Sequence, residues 1–204
     1  MSDVESVLDQ AQGVEGYFHR EEGRLLYETA VATLARLPDH TTVELGSYCG
    51  KSTIILGKAV RSLNGTYKVY AVDPHEGEIN FPDGVHRHPP TLSKFMANIA
   101  SCGLTDVVEL IQQRSFEVRW HKPIGLLLID ALHDYANVSR DFNHFAGLVA
   151  RGGVVAFHDY ELNDHPGVTK FVNEVLAAGN FEKAAHVDSL VILRKTTYLQ
   201  SQSS

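Results

Sequence analysis

Short runs of aliphatic and β-branched residues recur along this chain, and segments with helical spacing separate them. The runs cover residues 41–45, 67–72, 107–111, 124–129, 154–157 and 187–193. Their length and composition predict β-strands. Because they are continuously apolar and do not alternate with polar residues, we expect helices to cover both faces of the sheet that they form.

Helical spacing of apolar residues appears in segments 22–37, 51–63, 91–100, 138–149 and 168–177. Alternating strands and helices predict a doubly wound α/β fold of the Rossmann-like kind. Segment 181–194 holds two β-like pieces around Asp188 and Ser189, which predicts a hairpin. The sheet then has seven strands, and the last one is antiparallel. We expect a single domain over residues 1–204, with an N-terminal helical segment at 1–40 and a polar tail at 196–204.

Composition excludes several classes of partner. The 204 residues carry 18 Lys and Arg against 25 Asp and Glu, a net charge of −7, and basic residues never cluster beyond a pair. A nucleic-acid partner is therefore not expected. Two cysteines, an acidic N-terminus and apolar runs far shorter than the ~20 residues of a membrane helix predict a cytoplasmic protein without membrane attachment.

The first predicted strand runs into a glycine-bearing turn that opens a helix. Gly46 and Gly50 allow the backbone to approach a ligand, and the helix N-terminus offers free N–H groups. The turn lacks the G-x-G-x-x-G pattern of dinucleotide folds and is one residue short of a P-loop. Asp73 follows the second strand, where an acid is placed to bind ribose hydroxyls. Together these features predict a nucleoside ligand, whereas the turn alone is also compatible with a packing role.

Acidic residues and histidines follow two further strands. Asp130 comes directly after the fourth strand and His133 three residues later, while His158 and Asp159 follow the fifth. Two carboxylates at the tips of adjacent strands repel each other unless a cation lies between them. These residues predict a metal site, and the alternative is a pair of surface carboxylates in separate salt bridges.

The pattern E-x-G-x-x-x-G, followed by an acid after the second strand, resembles class I S-adenosylmethionine-dependent methyltransferases. The stretch VELGSYCGKST is similar to the catechol O-methyltransferase branch. The resemblance implies that S-adenosylmethionine is the cofactor, with Ser52 at its amino-acid part, Asp73 at the ribose and Ser115 at the adenine. The full cofactor site that it implies is Glu44, Gly46, Ser47, Tyr48, Ser52, Asp73, Ser115 and Asp130.

The D-x-x-H motif, with His-Asp after the next strand, resembles the divalent-metal-dependent O-methyltransferases, which include enzymes acting on macrolide sugars. This resemblance implies that Asp130 and Asp159 bind Mg²⁺ and that His133 is the general base. His158 departs from the family pattern, which has an acid beside the second aspartate. Because imidazole suits Mn²⁺ better than Mg²⁺, His158 is either a direct ligand of Mn²⁺ or a ligand through water. His144 is the second candidate base, although a single histidine on a helix more often serves packing or faces solvent.

The expected function is therefore transfer of a methyl group to a hydroxyl. A histidine base in place of the lysine of the catechol branch favours a small saccharide, with a methylated mannoside as the expected acceptor. The alternatives are a catechol or small-phenol O-methyltransferase, a nicotinamide-dependent oxidoreductase, and a non-catalytic nucleotide- or metal-binding module. The resemblance is also compatible with a homodimer.

Segment 74–90 is a long connection with four prolines and three histidines. Its length predicts a lid or substrate-binding loop. Glu76, Glu78, His86, Arg87 and His88 suit hydrogen bonding to a polar acceptor, and His86-Arg87-His88 is a weaker candidate for a transition-metal site. Near the N-terminus, residues 17–19 could reach the site or a partner subunit.

Overall fold

The computed structural model describes residues 4–37, 40–63, 67–81, 84–87 and 89–196, with only the backbone described for 78–81 and 84–87. The six α-helices of these residues are α1 (Val4–Gln12), α2 (Arg20–Leu34), α3 (Lys51–Arg61), α4 (Leu92–Ser101), α5 (Tyr135–Phe145) and α6 (Pro166–Ala177). The nine strands are β1 (Thr41–Leu45), β2 (Val69–Val72), β3 (Glu78–Phe81), β4 (Gly84–Arg87), β5 (Val108–Ile111), β6 (Ile124–Ile129), β7 (Val149–Phe157), β8 (Phe181–Val187) and β9 (Leu190–Lys195).

Seven of these strands form one sheet in the order β5-β2-β1-β6-β7-β9-β8. Strands β5, β2, β1, β6 and β7 are mutually parallel, and β9 runs antiparallel to both β7 and β8. The predicted fold class, including the closing hairpin and its antiparallel last strand, is confirmed. The strand order reverses direction at β1, which places the ends of β1, β2 and β6 around one crevice.

Helices cover both faces of the sheet, and each face has its own hydrophobic core. Helices α1, α2, α3 and α4 pack on one face, against strand residues such as Leu126 and Leu128. Helices α5 and α6 pack on the other face, against residues such as Leu127 and Ile129. Successive side chains of a strand point to opposite faces, so a buried strand in a two-sided sheet favours apolar residues at every position. This is why β6 contains no polar residue.

The structure differs from the sequence predictions at several elements. Helix α1 falls within the N-terminal helical segment predicted at 1–40, but it was not predicted as a separate helix, because only Val7, Leu8 and Ala11 form its buried stripe among polar neighbours. Strand β7 begins at Val149, five residues earlier than predicted, since exposed Arg151 and Gly152 interrupt its apolar pattern.

The segment predicted as a long loop, 74–90, contains the antiparallel pair β3 and β4. Backbone hydrogen bonding therefore orders a connection whose prolines suggested irregular structure. Most of the predicted polar tail, residues 197–204, lies outside the described residues. Among the described helices, none combines the length and apolar character needed to cross a membrane.

Lys195 at the end of β9 provides a test of how the hairpin is held on the sheet. Its ammonium group is buried and donates hydrogen bonds to the carbonyls of Ala146 and Val149, both at 2.8 Å. Burial lowers the pKa of this lysine. Lys195→Met should lower the free energy of unfolding by about 1–3 kcal/mol per carbonyl left without a donor.

Denaturant unfolding measures this effect. The matched control is Lys183→Met on the neighbouring strand β8, where the lysine is exposed. We expect the control to change stability by less than about 0.5 kcal/mol. Equal effects of the two substitutions would show that the buried contacts of Lys195 do not stabilise the hairpin.

Candidate active site

A cavity of about 720 Å³ opens at the carboxyl ends of β1, β2, β6 and β7. This is the edge of a parallel sheet at which ligands are expected to bind. Its lining includes most of the site residues predicted from the sequence: Gly46, Ser47, Tyr48, Ser52, Asp73, Ser115, Asp130, His133, His158 and Asp159. The segment between α1 and α2, from Glu15 to His19, contributes a further wall.

The turn between β1 and α3 adopts a conformation that requires glycine. Gly46 has a φ of 85°, and a Cβ atom at this position would lie 2.0 Å from the carbonyl oxygen of Asp130. This close approach packs the turn after β1 directly against the end of β6. The predicted cofactor turn and the predicted metal site are therefore in direct backbone contact. Tyr48 and Gly50 also have positive φ values, of 46° and 91°.

Asp73 organises this turn from the tip of β2. Its Oδ2 accepts hydrogen bonds from the backbone N–H groups of Ser47 at 2.9 Å and Tyr48 at 2.8 Å. Its Oδ1 accepts from the backbone N–H of His75 at 2.7 Å. The predicted ribose-binding residue therefore shapes the cofactor turn itself, and its remaining acceptor capacity faces the cavity.

Glu44 lies beneath the turn and does not line the cavity. It is fully buried, accepts a hydrogen bond from Thr53 Oγ1 at 2.5 Å, and leaves Oε1 without a partner among the described residues. Burial, opposed by hydrogen bonds from Ser52 and Thr53, raises the pKa of Glu44 to about 8. The side chain of Glu44 points into the protein below the loop, so its predicted contact with the cofactor stays a prediction, and the structure gives Glu44 a place under the turn.

Ser115 and Asp141 meet at another part of the cavity wall. The hydroxyl of Ser115, in a short 3₁₀ helix after β5, donates to Asp141 Oδ1 at 2.5 Å. Burial raises the pKa of Asp141. Beside them the guanidinium of Arg140 lies 4.0 Å from the centre of the half-exposed Phe116 ring. An aromatic face next to hydrogen-bonding groups is suited to a nucleobase.

Three predicted metal ligands converge at the ends of β6 and β7. The Nδ1 atom of His158 lies 3.3 Å from Asp130 Oδ1 and 3.2 Å from Asp159 Oδ2. One donor atom from each of the three residues lies within 4.8 Å of the others. Asp159 has a φ of 62°, a left-handed conformation that costs energy and is concentrated at functional sites.

His133 joins this cluster from the β6–α5 connection. Its Nε2 lies 3.0 Å from Asp159 Oδ2 and 3.7 Å from Asp130 Oδ1. Burial lowers the pKa of His133, but the two carboxylates outweigh that effect and raise it to about 10. His165, which the sequence analysis did not identify, packs against it with ring centres 4.5 Å apart.

Glu22 of α2 is a second residue that the sequence analysis missed. It is fully buried, and its Oε2 lies 3.3 Å from Nε2 of His158, a residue 136 positions away. Burial would raise the pKa of Glu22, but contacts with His158 and Ser189 lower it to about 2. The sequence around Glu22 shows only a glutamate in the first turn of a helix. A glutamate at that position usually indicates helix capping and does not predict a contact with the site.

The donor set fits a divalent cation. Two carboxylates beside each other, one buried and one partly buried, are stable only if positive charge compensates them, and here the two adjacent imidazoles are the source of that charge. The oxygen atoms of Asp130 and Asp159 suit Mg²⁺ or Mn²⁺, whereas the nitrogen of His158 favours Mn²⁺ and later transition metals.

His144 lies away from this site, whereas the predicted lid reaches it in part. His144 is exposed on α5, does not line the cavity, and its Nε2 contacts the carbonyl of Val118 at 2.8 Å. Its role as a second candidate base stays a prediction, and the helix turns it away from the strand ends. Of the predicted lid, Glu76 lines the cavity. The side chains of Glu78, His86 and Arg87, and all of His88, lie outside what the structure describes.

A family model described as a methyltransferase domain matches residues 43–160, more than half of the chain. Among solved structures, the O-methyltransferase NovP has a TM-score of 0.72 at 16% identity, covering 87% of this chain and 81% of that chain. The O-methyltransferase TomG from Streptomyces achromogenes, in complex with S-adenosylmethionine, has a TM-score of 0.62 at 16% identity, with 97% and 92% covered. The methyltransferase PaMTH1 from Podospora anserina, solved with S-adenosylhomocysteine, has a TM-score of 0.64 at 14% identity, with 97% and 89% covered. At these identities the structural likeness shows a shared fold.

Glu44 should make the stability of the protein depend on pH. Its pKa of about 8 in the folded state exceeds the unfolded value of 4.5, so between these values the folded state holds a proton that the unfolded chain has lost. The free energy of unfolding should therefore fall as pH rises through this window, with a slope of at most ~1.4 kcal/mol per pH unit. Glu44→Gln, which resembles the protonated carboxyl, should remove this contribution.

Denaturant titrations from pH 5 to pH 8.5 test this dependence. The matched control is Glu109→Gln, at an exposed position of β5, and its stability should follow the wild-type pH profile. An unchanged profile for Glu44→Gln would mean that Glu44 is ionised in the folded protein.

Proposed function

The chain belongs to the methyltransferase-domain family, and on this premise we propose that it is an S-adenosylmethionine-dependent O-methyltransferase that requires a divalent metal and acts on a sugar hydroxyl. One observation carries the proposal. The Gly46 turn and the Asp130, His158 and Asp159 cluster lie in the same cavity, joined by the close contact of Gly46 with the Asp130 carbonyl.

The cofactor assignment is supported by the chemistry of the cavity wall. When bound, S-adenosylmethionine supplies a methyl group already activated on a sulfonium. Ser47 keeps a buried hydroxyl without a partner among the described residues, and Asp73 keeps acceptor capacity beside it. Phe116 and Ser115 provide an aromatic face and a hydroxyl for the adenine, and a cavity of about 720 Å³ is of the size that encloses a cofactor.

The proposed metal ligands are Asp130, Asp159 and His158. A divalent ion bound to them supplies positive charge that stabilises a developing alkoxide on the acceptor. The two aspartates hold fixed positions because their strands are buried on both faces. Asp130 is further fixed by its backbone N–H, which donates to the Leu45 carbonyl at 2.9 Å.

We assign the role of general base to His133, which lines the cavity beside both aspartates. Their charge keeps the ring protonated while no cation is bound. A divalent ion on the aspartates would offset that charge, so that the neutral ring could take the proton of the acceptor hydroxyl. The ring is oriented by the Asp159 carboxylate on one side and by His165 on the other. In-line methyl transfer depends mainly on alignment and deprotonation of the nucleophile, and these residues supply both.

A saccharide acceptor suits the groups at the cavity mouth. Tyr17 and Leu162 line the cavity with 62% and 41% of their surface exposed, while Asp188 and His165 provide hydrogen-bonding groups. Sugars combine apolar faces with hydroxyls, so this mixture favours them over a flat catechol. The histidine-bearing site also resembles the mycobacterial 1-O-methyltransferase of methylmannose polysaccharides, which makes a methylated mannoside the first acceptor to test. The cytoplasmic location and the homodimer stay predictions.

The cofactor assignment is tested by calorimetric titration of S-adenosylhomocysteine, with and without Mg²⁺ or Mn²⁺. We expect binding in the micromolar range, because the glycine turn and Asp73 are already arranged for it. NADH serves as the control ligand and should not bind. Absence of S-adenosylhomocysteine binding under every metal condition would contradict the proposed cofactor.

Two substitutions test the metal and the base. Asp130→Ala should abolish metal-dependent methylation of mannosides while S-adenosylhomocysteine affinity stays within a few-fold of wild type. His133→Ala should lower the rate of the chemical step by about 10²–10⁴-fold. Single-turnover kinetics measure both effects, with Asp164→Ala, an exposed acid nearby, as the matched control. Unchanged turnover in Asp130→Ala would contradict metal dependence.

A further inference from the structure

Glu22 contacts the back of the proposed metal site from an element that the family match does not include. It lies on α2, while the matched region begins at residue 43. Its exposed fraction is 0%, and a buried carboxylate is retained only where its partners compensate the loss of water.

Four contacts hold the Glu22 carboxylate in one orientation. Oε1 accepts hydrogen bonds from the backbone N–H of Ser189 at 2.9 Å and from its hydroxyl at 2.6 Å. Oε2 accepts from the backbone N–H of His19 at 2.8 Å and lies 3.3 Å from His158 Nε2. The His158 ring is fixed in plane by stacking on Phe18, with ring centres 4.3 Å apart. Neither the carboxylate nor the imidazole can turn without losing several of these contacts.

This arrangement determines which ring nitrogen of His158 keeps its proton when a divalent ion is bound. An ionised carboxylate can only accept hydrogen bonds, so the nitrogen that faces Glu22, Nε2, must be the donor. While no cation is bound, the other nitrogen, Nδ1, is protonated as well, because it too faces carboxylates. A divalent ion would displace that proton and take the freed lone pair. That nitrogen is the one that faces Asp130 and Asp159, at 3.3 and 3.2 Å.

We propose that Glu22 is a positioning residue that keeps His158 in the Nε2–H tautomer, so that Nδ1 ligates the divalent ion directly and the centre prefers Mn²⁺ to Mg²⁺. The inference rests on the proposed function and deepens it, because it identifies the third protein ligand and the class of metal. Carboxylate partners of metal-bound histidines act in this way, by fixing the tautomer and the ring orientation. Imidazole nitrogen stabilises Mn²⁺ and later transition metals more than Mg²⁺.

Glu22→Gln tests the tautomer with little change in shape. Its amide can still accept the two Ser189 hydrogen bonds through Oε1, at the cost of the hydrogen bond from the His19 backbone N–H, and the NH₂ group would then face His158 Nε2 and donate to it. This moves the imidazole proton to Nδ1 and blocks that nitrogen as a ligand. We expect Mn²⁺ affinity to fall about 10–100-fold and the Mn²⁺-over-Mg²⁺ preference to shrink, while S-adenosylhomocysteine affinity stays near wild type.

Calorimetric titrations with Mn²⁺, Mg²⁺ and S-adenosylhomocysteine provide these values. The matched control is Glu28→Gln, an exposed glutamate on the same helix, which should behave as wild type. A merely structural role of Glu22 would reduce all three affinities together. Mn²⁺ affinity and metal preference within twofold of wild type in a folded Glu22→Gln protein would overturn the inference.

A second measurement uses the unaltered protein and does not depend on the folding of a variant. In protein labelled with ¹⁵N-histidine, the His158 signals are assigned by comparison with His158→Asn, and the diamagnetic ion Cd²⁺ is added. We expect Nε2 to keep its bound proton and Nδ1 to shift on Cd²⁺ binding. A proton on Nδ1 of the Cd²⁺-bound protein, or Cd²⁺ bound at Nε2 in place of Nδ1, would overturn the inference.

The outcomes separate this inference from the proposed function. If the wild-type protein binds S-adenosylhomocysteine but neither Mn²⁺ nor Cd²⁺, metal dependence and the role of Glu22 are both wrong. If it binds Mn²⁺ and Glu22→Gln binds it equally well, only the role of Glu22 is wrong.

Discussion

Two carboxylates that need compensating charge lie at the centre of this structure. Asp130 and Asp159 end two adjacent parallel strands that are buried on both faces, so neither side chain can move far from the other. Their charge is met by His133 and His158 within 3.0–3.7 Å. The left-handed backbone at Asp159 shows that part of the folding free energy is used to hold this carboxylate in place.

The same strand ends connect the proposed metal site to the Gly46 turn. Gly46 is packed so closely on the Asp130 carbonyl that any side chain there would displace it. Asp73 then orders the rest of the turn through three backbone N–H groups. A cofactor bound to the turn and an acceptor held at the metal would therefore have a fixed separation, which an in-line displacement requires.

The N-terminal helices extend the site beyond the region shared with the family. Glu22 and Phe18 fix the ring of His158 from behind, and Ser189, in the turn between β8 and β9, anchors Glu22. Two elements at opposite ends of the chain thus meet at one imidazole. The sequence left open whether residues 17–19 reach the site or a partner subunit. In the structure, Tyr17, Phe18 and His19 all line the cavity.

The sequence by itself determined the fold class, the edge of the sheet that holds the site, and the convergence of Asp130, His133, His158 and Asp159. These follow from local pattern, because an apolar run defines a strand and the next polar residue marks its tip. Only the tertiary structure decided the direction of each side chain: Glu44 points beneath the turn, His144 turns to solvent, and Glu22 and His165 reach the cluster from other elements. Such contacts depend on how distant segments of the chain pack together. Glu22 and His158 are 136 positions apart in the sequence, and their spacing does not indicate that their side chains are in contact.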